Sequence, residues 1–246
     1  MRNETNLNKN VANLIYGRNP LMSFIDSGKV KKLYLQQGFS DKKILSAIEK
    51  ANLVPIYVDA QTLNSLARGG AHQGVVAEIK PFEYSSLKEI ISFSKTKKNP
   101  LILILDEIND PHNFGAIIRS ADAFSVDGII IKSRGQVAVN MTVSKVSTGA
   151  INYVKIAQVN NLFNAIKELK DNGYSVYAAD GLGKDDYNSL KYDGPIALVM
   201  GSEGFGISNL VLRNSDFVIK IPMTGHVNSL NVSVATGILL SRIRNQ

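Results

Sequence analysis

The chain has 246 residues, of which 44% are hydrophobic and 20% are charged, so it can hold one large domain or two modest ones. No apolar run approaches the roughly 18–20 residues of a membrane helix, and the first residues lack the apolar core of a signal peptide. A cytoplasmic protein that does not meet a membrane is therefore expected. Cysteine is absent, which excludes disulfides, a thiolate nucleophile and cysteine-ligated zinc. His72, His112 and His226 are too scattered for a metal motif, so no metal is expected.

The positive charge is concentrated in the first part of the chain. Residues 1–99 contain 15 Lys and Arg against 8 Asp and Glu, whereas residues 100–246 contain 13 of each, and the net charge is +7. This distribution predicts a basic module that meets a polyanion by phosphate contacts, joined to a neutral module with a different task. From charge alone, a solvated basic face without a partner is an equal alternative.

The first module, residues 1–80, has the pattern of a small α/β unit. Residues 1–10 are polar and rich in Asn, which predicts a loose terminus. Asn19-Pro20-Leu21 predicts a turn into a short helix. Apolar spacing then predicts strands at 30–35, 54–58 and 75–79, and helices at 41–52 and 59–68. Residues 81–99 change to Ser, Lys and Asn around one amphipathic segment, 87–93, which predicts a linker that contains a helix.

The second module, residues 100–246, alternates strands with helices more clearly. Residues 101–105 form a continuous apolar run, which is typical of a strand buried on both faces. The later segments predict strands at 128–131, 154–159, 175–179, 196–200 and 217–221, and helices at 113–124, 143–151, 162–171, 207–214 and 230–243. This alternation predicts a mostly parallel sheet covered by helices. Ligands of such sheets lie beyond the carboxyl ends of the strands, so the loops after Leu105, Met200 and Ile221 are the candidate site.

The loop after Leu105 contributes two candidates. Asp110-Pro111 predicts a turn, and Asn113 is a good helix N-cap. Arg119 follows on the same helix among apolar residues, which favours a position that faces an anion or a polar cleft. An exposed helix Arg is the alternative.

The loop after Met200 reads Gly201-Ser202-Glu203-Gly204-Phe205-Gly206. It lacks the glycine spacing of a dinucleotide fingerprint and the Lys-Ser/Thr of a phosphate loop, which disfavours a nicotinamide enzyme or a kinase. Glu203 would repel a phosphate, so the loop suits a ligand with a positive centre or polar edges. Residues 180–183, Asp-Gly-Leu-Gly, are interpreted as a plain turn.

The loop after Ile221 leads into a predicted helix whose first turn carries Ser229 and Asn231. Free backbone N–H groups and short polar side chains make such a helix start a potential ligand site, although an ordinary cap is the alternative for each residue. His226 lies in the same loop and is interpreted as a solvent-exposed residue.

The three loops resemble the three motifs of one family. Asn113 with Arg119, residues 201–204, and Ile221-Pro222-Met223 with residues 229–234 are similar in order and spacing to the motifs of the SpoU (TrmH-like) RNA ribose methyltransferases of the SPOUT superfamily. Residues 15–20 and 70–77 resemble the substrate-binding domain of that family, which itself resembles certain ribosomal proteins. The layout is most similar to the rRNA guanosine-2′-O-methyltransferase branch (RlmB-like).

This resemblance implies a trefoil knot in the C-terminal domain and an active site formed across a homodimer. It also implies the cofactor S-adenosylmethionine, held largely by backbone contacts near Met200, Gly201, Ile221, Met223, Leu230 and Asn231. The implied catalytic group consists of Arg119, Asn113, Glu203, Ser229 and Asn231.

The implied reaction is attack of a ribose 2′-oxygen on the sulfonium methyl, which needs no metal. Arg119 is the proposed base of the family, but a guanidinium normally stays charged, so a grip on the adjacent phosphate is an equal hypothesis. Asn113 would orient Arg119 or the ribose, and Glu203 would hold the cluster or face the cationic cofactor. The expected partner is RNA, most of all a guanosine of large-subunit rRNA. The alternatives are tRNA and a non-catalytic RNA-binding protein of ribosome assembly.

Overall fold

The computed structural model describes residues 14–245, so the loose terminus predicted for residues 1–10 lies outside the described residues. The chain divides into two compact units. The first unit combines the chain up to residue 83 with residues 139–152, and the second combines residues 84–138 with the chain from residue 153 onward.

The elements of the described chain up to residue 99 agree with the predicted α/β pattern, with one additional strand at residues 14–16. They are β1 (Leu14–Tyr16), α1 (Arg18–Asp26), β2 (Val30–Gln36), α2 (Lys42–Lys50), β3 (Pro55–Val58), α3 (Ala60–Leu66), β4 (Val75–Ile79) and α4 (Leu87–Ser94). In the first unit the four strands form one sheet in the order β1-β4-β2-β3, in which only β2 and β3 are parallel. Asp41 and Asp59 cap α2 and α3 by accepting hydrogen bonds from backbone N–H groups.

The elements from residue 100 onward begin with β5 (Leu101–Asp106), α5 (Pro111–Ala123), β6 (Gly128–Lys132), α6 (Met141–Val146), a 3₁₀ turn (Ala150–Asn152), β7 (Ile156–Val159) and α7 (Leu162–Asp171). They continue with β8 (Ser175–Ala179), β9 (Asp185–Asp186), β10 (Ile196–Gly201), α8 (Asn209–Asn214), β11 (Phe217–Lys220) and α9 (Val232–Arg244). Strand β9 is a short addition to the predicted pattern.

The sheet of the second unit has seven strands in the order β7-β6-β5-β10-β8-β11-β9, and every neighbouring pair is parallel. All six residues of β5 are buried, as its continuous apolar sequence predicts. In register, Gly201 of β10 lies opposite Asp106 of β5, and Met200 lies opposite Ala179 of β8. The carboxyl ends of these central strands therefore meet at one edge, and so do the loops that follow them.

The segment 139–152 packs with the first unit, although the sequence-based boundaries place it within residues 100–246. The Ser23 hydroxyl donates to the carbonyl of Gly149 at 2.8 Å, and the amide of Asn152 donates to the Ser23 hydroxyl at 3.0 Å. The helix predicted for 143–151 is interrupted because Thr148 and Gly149 have φ of 50° and 98°. Any side chain at Gly149 would lie 2.5 Å from Cβ of Ser23, so this close approach requires glycine.

The helix predicted within the linker 81–99 is part of the second unit. Ile90 and Ile91 of α4 are buried in the same core as Ile104 and Ile130 of the sheet. Ser86 and Glu89 form a capping box at the start of this helix. The linker helix therefore covers part of one face of the seven-stranded sheet with its apolar side chains.

Candidate functional site

A cavity of about 560 Å³ opens at the carboxyl ends of β8, β10 and β11. This volume lies within the range of small-molecule and cofactor sites. Apolar residues make up much of the wall, among them Met200, Ile219, Ile221 and Leu239, and polar side chains converge on it. The polar lining residues are Asp180, Ser202, Glu203, Lys220, Asn228 and Ser229.

The loop after β10 is held in a tight turn that carries Glu203. Ser202 and Gly206 exchange two backbone hydrogen bonds of 3.0 Å each. A Cβ at Gly201 would lie 2.2 Å from the carbonyl carbon of Gly206, so the chain can close this turn only with glycine at position 201. Beyond the turn, the buried carboxylate of Asp106 accepts a hydrogen bond of 2.9 Å from the backbone N–H of Ser208. Strand β5 thus anchors the end of the loop.

Asn113, Glu203 and Asn231 form one hydrogen-bonded cluster, although they lie on three different segments of the chain. The amide of Asn113 donates to Oε1 of Glu203 at 3.1 Å. The amide of Asn231 donates to the same oxygen at 2.6 Å and to Oδ1 of Asn113 at 2.9 Å. The sequence-based expectation that the three loops meet is therefore met for these side chains.

The residues of this cluster differ in how many of their side-chain groups form hydrogen bonds within the protein. Asn231 caps α9, where its Oδ1 accepts from the backbone N–H groups of Ser233 and Val234 at 2.9 and 3.3 Å. Both amide hydrogens of Asn231 are used by the cluster, so its side chain has no group left for a ligand. Glu203 differs, because it is exposed and only its Oε1 takes part in hydrogen bonds among residues 14–245. The second carboxylate oxygen of Glu203 can therefore accept from a ligand.

Asn113 is not the N-cap of its helix, contrary to the sequence-based interpretation. Asp110 caps α5 by accepting from the backbone N–H of His112 at 2.8 Å, and Pro111 occupies the first helical turn. Asn113 lies inside the first turn, is only 8% exposed, and uses its side chain for the cluster instead. Asp110 and Asn113 are both favourable N-cap residue types and lie three positions apart, so the sequence alone could not decide which of them caps the helix.

Arg119 and Ser229 are not joined to this cluster by hydrogen bonds in the described part of the chain. Arg119 lies on the exposed side of α5, and none of residues 14–245 forms an ion pair with it. Ser229 lines the cavity, as do Met200, Gly201, Ile221, Met223 and Leu230, whereas Asn231 lies outside the lining and acts through its hydrogen bonds.

The sequence interpretation of residues 180–183 as a plain turn was incomplete. The segment is a turn, in which Asp180 accepts from the backbone N–H of Leu182 at 2.9 Å. Asp180 and Gly181 also line the cavity, since they follow β8 at the same edge of the sheet. Asn228, Ala235 and Leu239 were missed as well. Finding these residues required the order of the strands in the sheet, in which β8 lies between β10 and β11, and the sequence does not give that order.

Residues 14–245 contain neither a metal-binding cluster nor a membrane-spanning helix. No group of three or more His, Asp or Glu side chains is placed to hold a metal ion. No helix there is long and apolar enough to span a membrane.

A parallel α/β sheet with a cofactor-sized cavity and a polar cluster at its carboxyl edge is typical of proteins that bind a nucleotide or a cofactor. Comparison of the sequence with protein families makes this class specific. Residues 100–241 match the SpoU rRNA Methylase family, and residues 14–85 match the family described as RNA 2'-O ribose methyltransferase substrate binding. The chain belongs to the SpoU family of RNA methyltransferases.

The relatives extend over almost the whole chain. A protein of Staphylococcus haemolyticus that carries the name TrmH family tRNA/rRNA methyltransferase is 43% identical over 235 residues, which is 94% of each chain. An AdoMet-bound rRNA methyltransferase of Sinorhizobium meliloti has a similar structure, with a TM-score of 0.80, 25% identity, and coverage of 98% of this chain and 90% of that chain. The fold is also that of the SpoU methyltransferase AviRb of Streptomyces viridochromogenes, with a TM-score of 0.81, 22% identity, and coverage of 100% and 94%.

Proposed function

We propose that this protein transfers the methyl group of S-adenosylmethionine to a ribose 2′-oxygen of RNA, at a guanosine of large-subunit (23S) rRNA. The observation that carries the proposal is the Asn113–Glu203–Asn231 cluster at the rim of the cavity. Family resemblance supports the ribose specificity, and the AdoMet-bound structural relative supports the cofactor.

The residues of the cavity fit S-adenosylmethionine. Its apolar wall, including Met200, Ile219 and Leu239, suits an adenine ring. The carboxylates of Asp180 and Glu203 also line it, and they suit the cationic sulfonium and ammonium groups of this cofactor. Gly201 brings bare backbone to the wall, where a side chain has no room. When bound, the cofactor supplies a methyl group that positive sulfur has already activated.

The residues of the chain then have to position the ribose hydroxyl and stabilise the charge that develops on its oxygen. Asn113 and Asn231 hold Glu203 in place, so the free carboxylate oxygen of Glu203 faces a ligand without losing its orientation. Arg119 is exposed and unpaired within residues 14–245, which leaves its planar fork free for an RNA phosphate or for the reacting oxygen. In this proposal Arg119 contacts the RNA, and Ser229 completes the rim.

RNA recognition is assigned to the first unit. The two segments that resemble the substrate-binding family meet there, since the backbone N–H of Arg18 donates to the side chain of Gln73 at 2.9 Å. Arg18 also lies over the ring of Phe39, with its guanidinium carbon 5.5 Å from the ring centre, and it forms an ion pair with Asp41 at 3.0 Å. Aromatic rings and guanidinium planes are both groups on which RNA bases stack. A tRNA substrate is the second candidate, because names of relatives include both tRNA and rRNA.

A homodimer and a trefoil knot belong to the same proposal, since the family resemblance implies both. The exposed side of α9 supports the dimer. Val234 is 51% exposed there, beside a shallow cleft that includes Phe124, Tyr187 and Ile238. A second copy covering this face would bury apolar surface that is otherwise exposed to water. Light scattering on the purified protein tests the dimer, and a monomer at all concentrations would refute it.

The decisive experiment is incubation of the protein with labelled S-adenosylmethionine and unmodified large-subunit rRNA or tRNA, followed by mapping of ribose methylation. Label at a ribose of the rRNA supports the proposal. Label only in tRNA would replace the substrate, and label on a base would replace the reacting atom. No label in either RNA, despite RNA binding, would favour a non-catalytic protein of ribosome assembly.

A further inference from the structure

The second unit carries a basic and aromatic surface that the proposed site does not use. We define the Phe93 patch as Phe93, Lys97, Lys98, Tyr153 and Lys155. Four of these residues line a cleft of about 640 Å³, and the fifth, Lys155, lies beside it over the ring of Phe93. Residues 84–99, which include Phe93, Lys97 and Lys98 of the patch, contain four Lys and one Glu and belong to the second unit. Part of the excess charge of the first 99 residues is therefore on the methyltransferase unit.

Two lysines of the patch lie over the ring of Phe93. The ammonium of Lys97 lies 4.3 Å from the centre of the Phe93 ring, and that of Lys155 lies 5.2 Å from it. The Phe93 ring remains 37% exposed, and Tyr153 is 59% exposed. Lys97 and Lys98 are exposed and form no ion pair within residues 14–245. Lys155 differs, since its charge interacts with the exposed carboxylate of Glu89. An exposed ring between two lysines still offers a stacking platform for a base and contacts for the neighbouring phosphates.

The cleft is also lined by one guanidinium, that of Arg244, and by the two carboxylates of Asp122 and Asp127. The guanidinium of Arg244 donates to the backbone carbonyls of Asn99, Phe124 and Ser125, so it is used by the protein itself. Asp127 is buried and accepts from the backbone N–H of Leu101 at 2.7 Å. Asp122 is the exposed carboxylate among the residues that line the cleft. The charge of Asp127 interacts with those of Arg244 and Lys97, but no lysine of the patch forms an ion pair within 4.0 Å among residues 14–245, so these cations can still contact a polyanion.

The patch lies at the opposite edge of the sheet from the cofactor cavity. Lys98 precedes β5 and Lys155 precedes β7, whereas the cavity follows the carboxyl ends of β8, β10 and β11. The six residues of β5 span roughly 20 Å at about 3.3 Å per residue. An RNA segment at the patch is consequently too far away to contain the nucleotide that reacts.

We infer that the Phe93 patch binds a flanking, single-stranded segment of the substrate RNA. This inference rests on the proposed function in that the ligand is RNA. Single-stranded RNA is favoured over a helix because a base must be unstacked to lie on Phe93 or Tyr153. The patch would lengthen the RNA footprint on the methyltransferase unit without touching the cofactor.

The test is binding of the full-length protein to a fluorescein-labelled, mixed-sequence RNA of about 40 nucleotides, which exceeds the ~4–16-nucleotide site of a single-stranded RNA-binding fold. The dissociation constant is measured at several salt concentrations, without cofactor. For a variant with Lys97, Lys98 and Lys155 changed to Ala, we expect at least about fivefold weaker binding and a salt slope smaller by about 2, since each phosphate contact contributes roughly 0.7. Phe93→Ala should weaken binding about fivefold or more, and Phe93→Tyr should not.

The matched control changes Lys167, Lys184 and Lys191 to Ala, because these lysines are also exposed and lie on the same unit. If the control weakens binding as much as the patch variant, net charge is responsible and the inference is wrong. It is also wrong if the patch variant binds like the wild type. Absence of RNA binding by the wild-type protein would instead count against the proposed function. Unchanged melting temperatures and cofactor affinity separate both results from misfolding.

Discussion

Gly201 gives the sharpest test of how the cavity is built, because its loop contains its own control. Substitution Gly201→Ala places a Cβ 2.2 Å from the carbonyl carbon of Gly206 and 2.5 Å from the backbone nitrogen of Ile207. These neighbours are backbone atoms, which cannot rotate away as a flexible side chain would. In contrast, Gly204 lies in the same loop with nothing within 4 Å of the added carbon and without a positive φ.

The expected cost follows from these distances. Ordinary contact needs more than 3.4 Å, so the Gly206 backbone has to move by about 1 Å. Overpacking of this kind costs about 1–3 kcal/mol in the free energy of unfolding, or roughly 2–12 °C in the melting temperature of a chain of this size. The same movement displaces Glu203 from Asn113 and Asn231. A misplacement of about 1 Å can reduce a reaction rate about 100-fold, so we expect methyl transfer to fall by that order.

Three measurements on Gly201→Ala and Gly204→Ala check this reasoning. Calorimetry gives the melting temperature, titration calorimetry gives the affinity for S-adenosylmethionine, and label transfer to RNA gives the activity. Gly201→Ala should have a lower melting temperature, a lower affinity for S-adenosylmethionine and a lower rate of label transfer. Gly204→Ala should stay close to the wild type in all three quantities. Equal behaviour of the two variants would show that the close approach of Gly206 does not shape the cavity.

Three more substitutions test the cluster, Arg119 and the cap of helix α4. Glu203→Gln keeps an oxygen for the two amides but removes the charge, so titration calorimetry should show about threefold to tenfold weaker binding of S-adenosylmethionine; unchanged affinity would exclude a role of the charge. Arg119→Lys should lower RNA methylation at least about tenfold at unchanged cofactor affinity, because the planar fork is lost; full activity would remove Arg119 from the site. Ser86→Ala should lower the melting temperature by about 2–4 °C at neutral pH. The backbone N–H of Ser86, and secondly its hydroxyl, lower the pKa of Glu89 by donating to its carboxylate. Ser86→Ala removes only the hydroxyl contribution, which is present above the unfolded pKa and is lost as the pH falls through the lower, folded pKa. The difference between Ser86→Ala and wild type should therefore shrink in thermal melts at acid pH, and a difference independent of pH would contradict this explanation.

Local sequence patterns predicted most elements of this fold because the periodicity of apolar residues is a local property. The strand at residues 175–179 and the helix at 162–171 were predicted with the observed bounds, and residues 101–105 were correctly predicted as a fully buried strand. The segment 139–152 could not be assigned in this way. Its attachment to the first unit depends on the contact of Gly149 with Ser23, which are 126 residues apart in the sequence. Contacts at such separations leave no mark in local hydrophobic spacing.

The same distinction explains the site. Polar residues after three strands identified the edge of the sheet at which the cavity opens, since the carboxyl ends of parallel strands meet there whatever their order. The role of each polar residue at this edge depends on which of its hydrogen-bonding groups are already paired within the protein. Asn231 was equally plausible as a cap and as a ligand contact, and the structure shows that capping α9 and holding Glu203 together use all of its hydrogen-bonding groups. A residue whose groups are all satisfied by the protein acts on a ligand only by positioning another residue, here Glu203. We therefore expect a substitution of Asn231 to weaken ligand binding only to the extent that it displaces the Glu203 carboxylate.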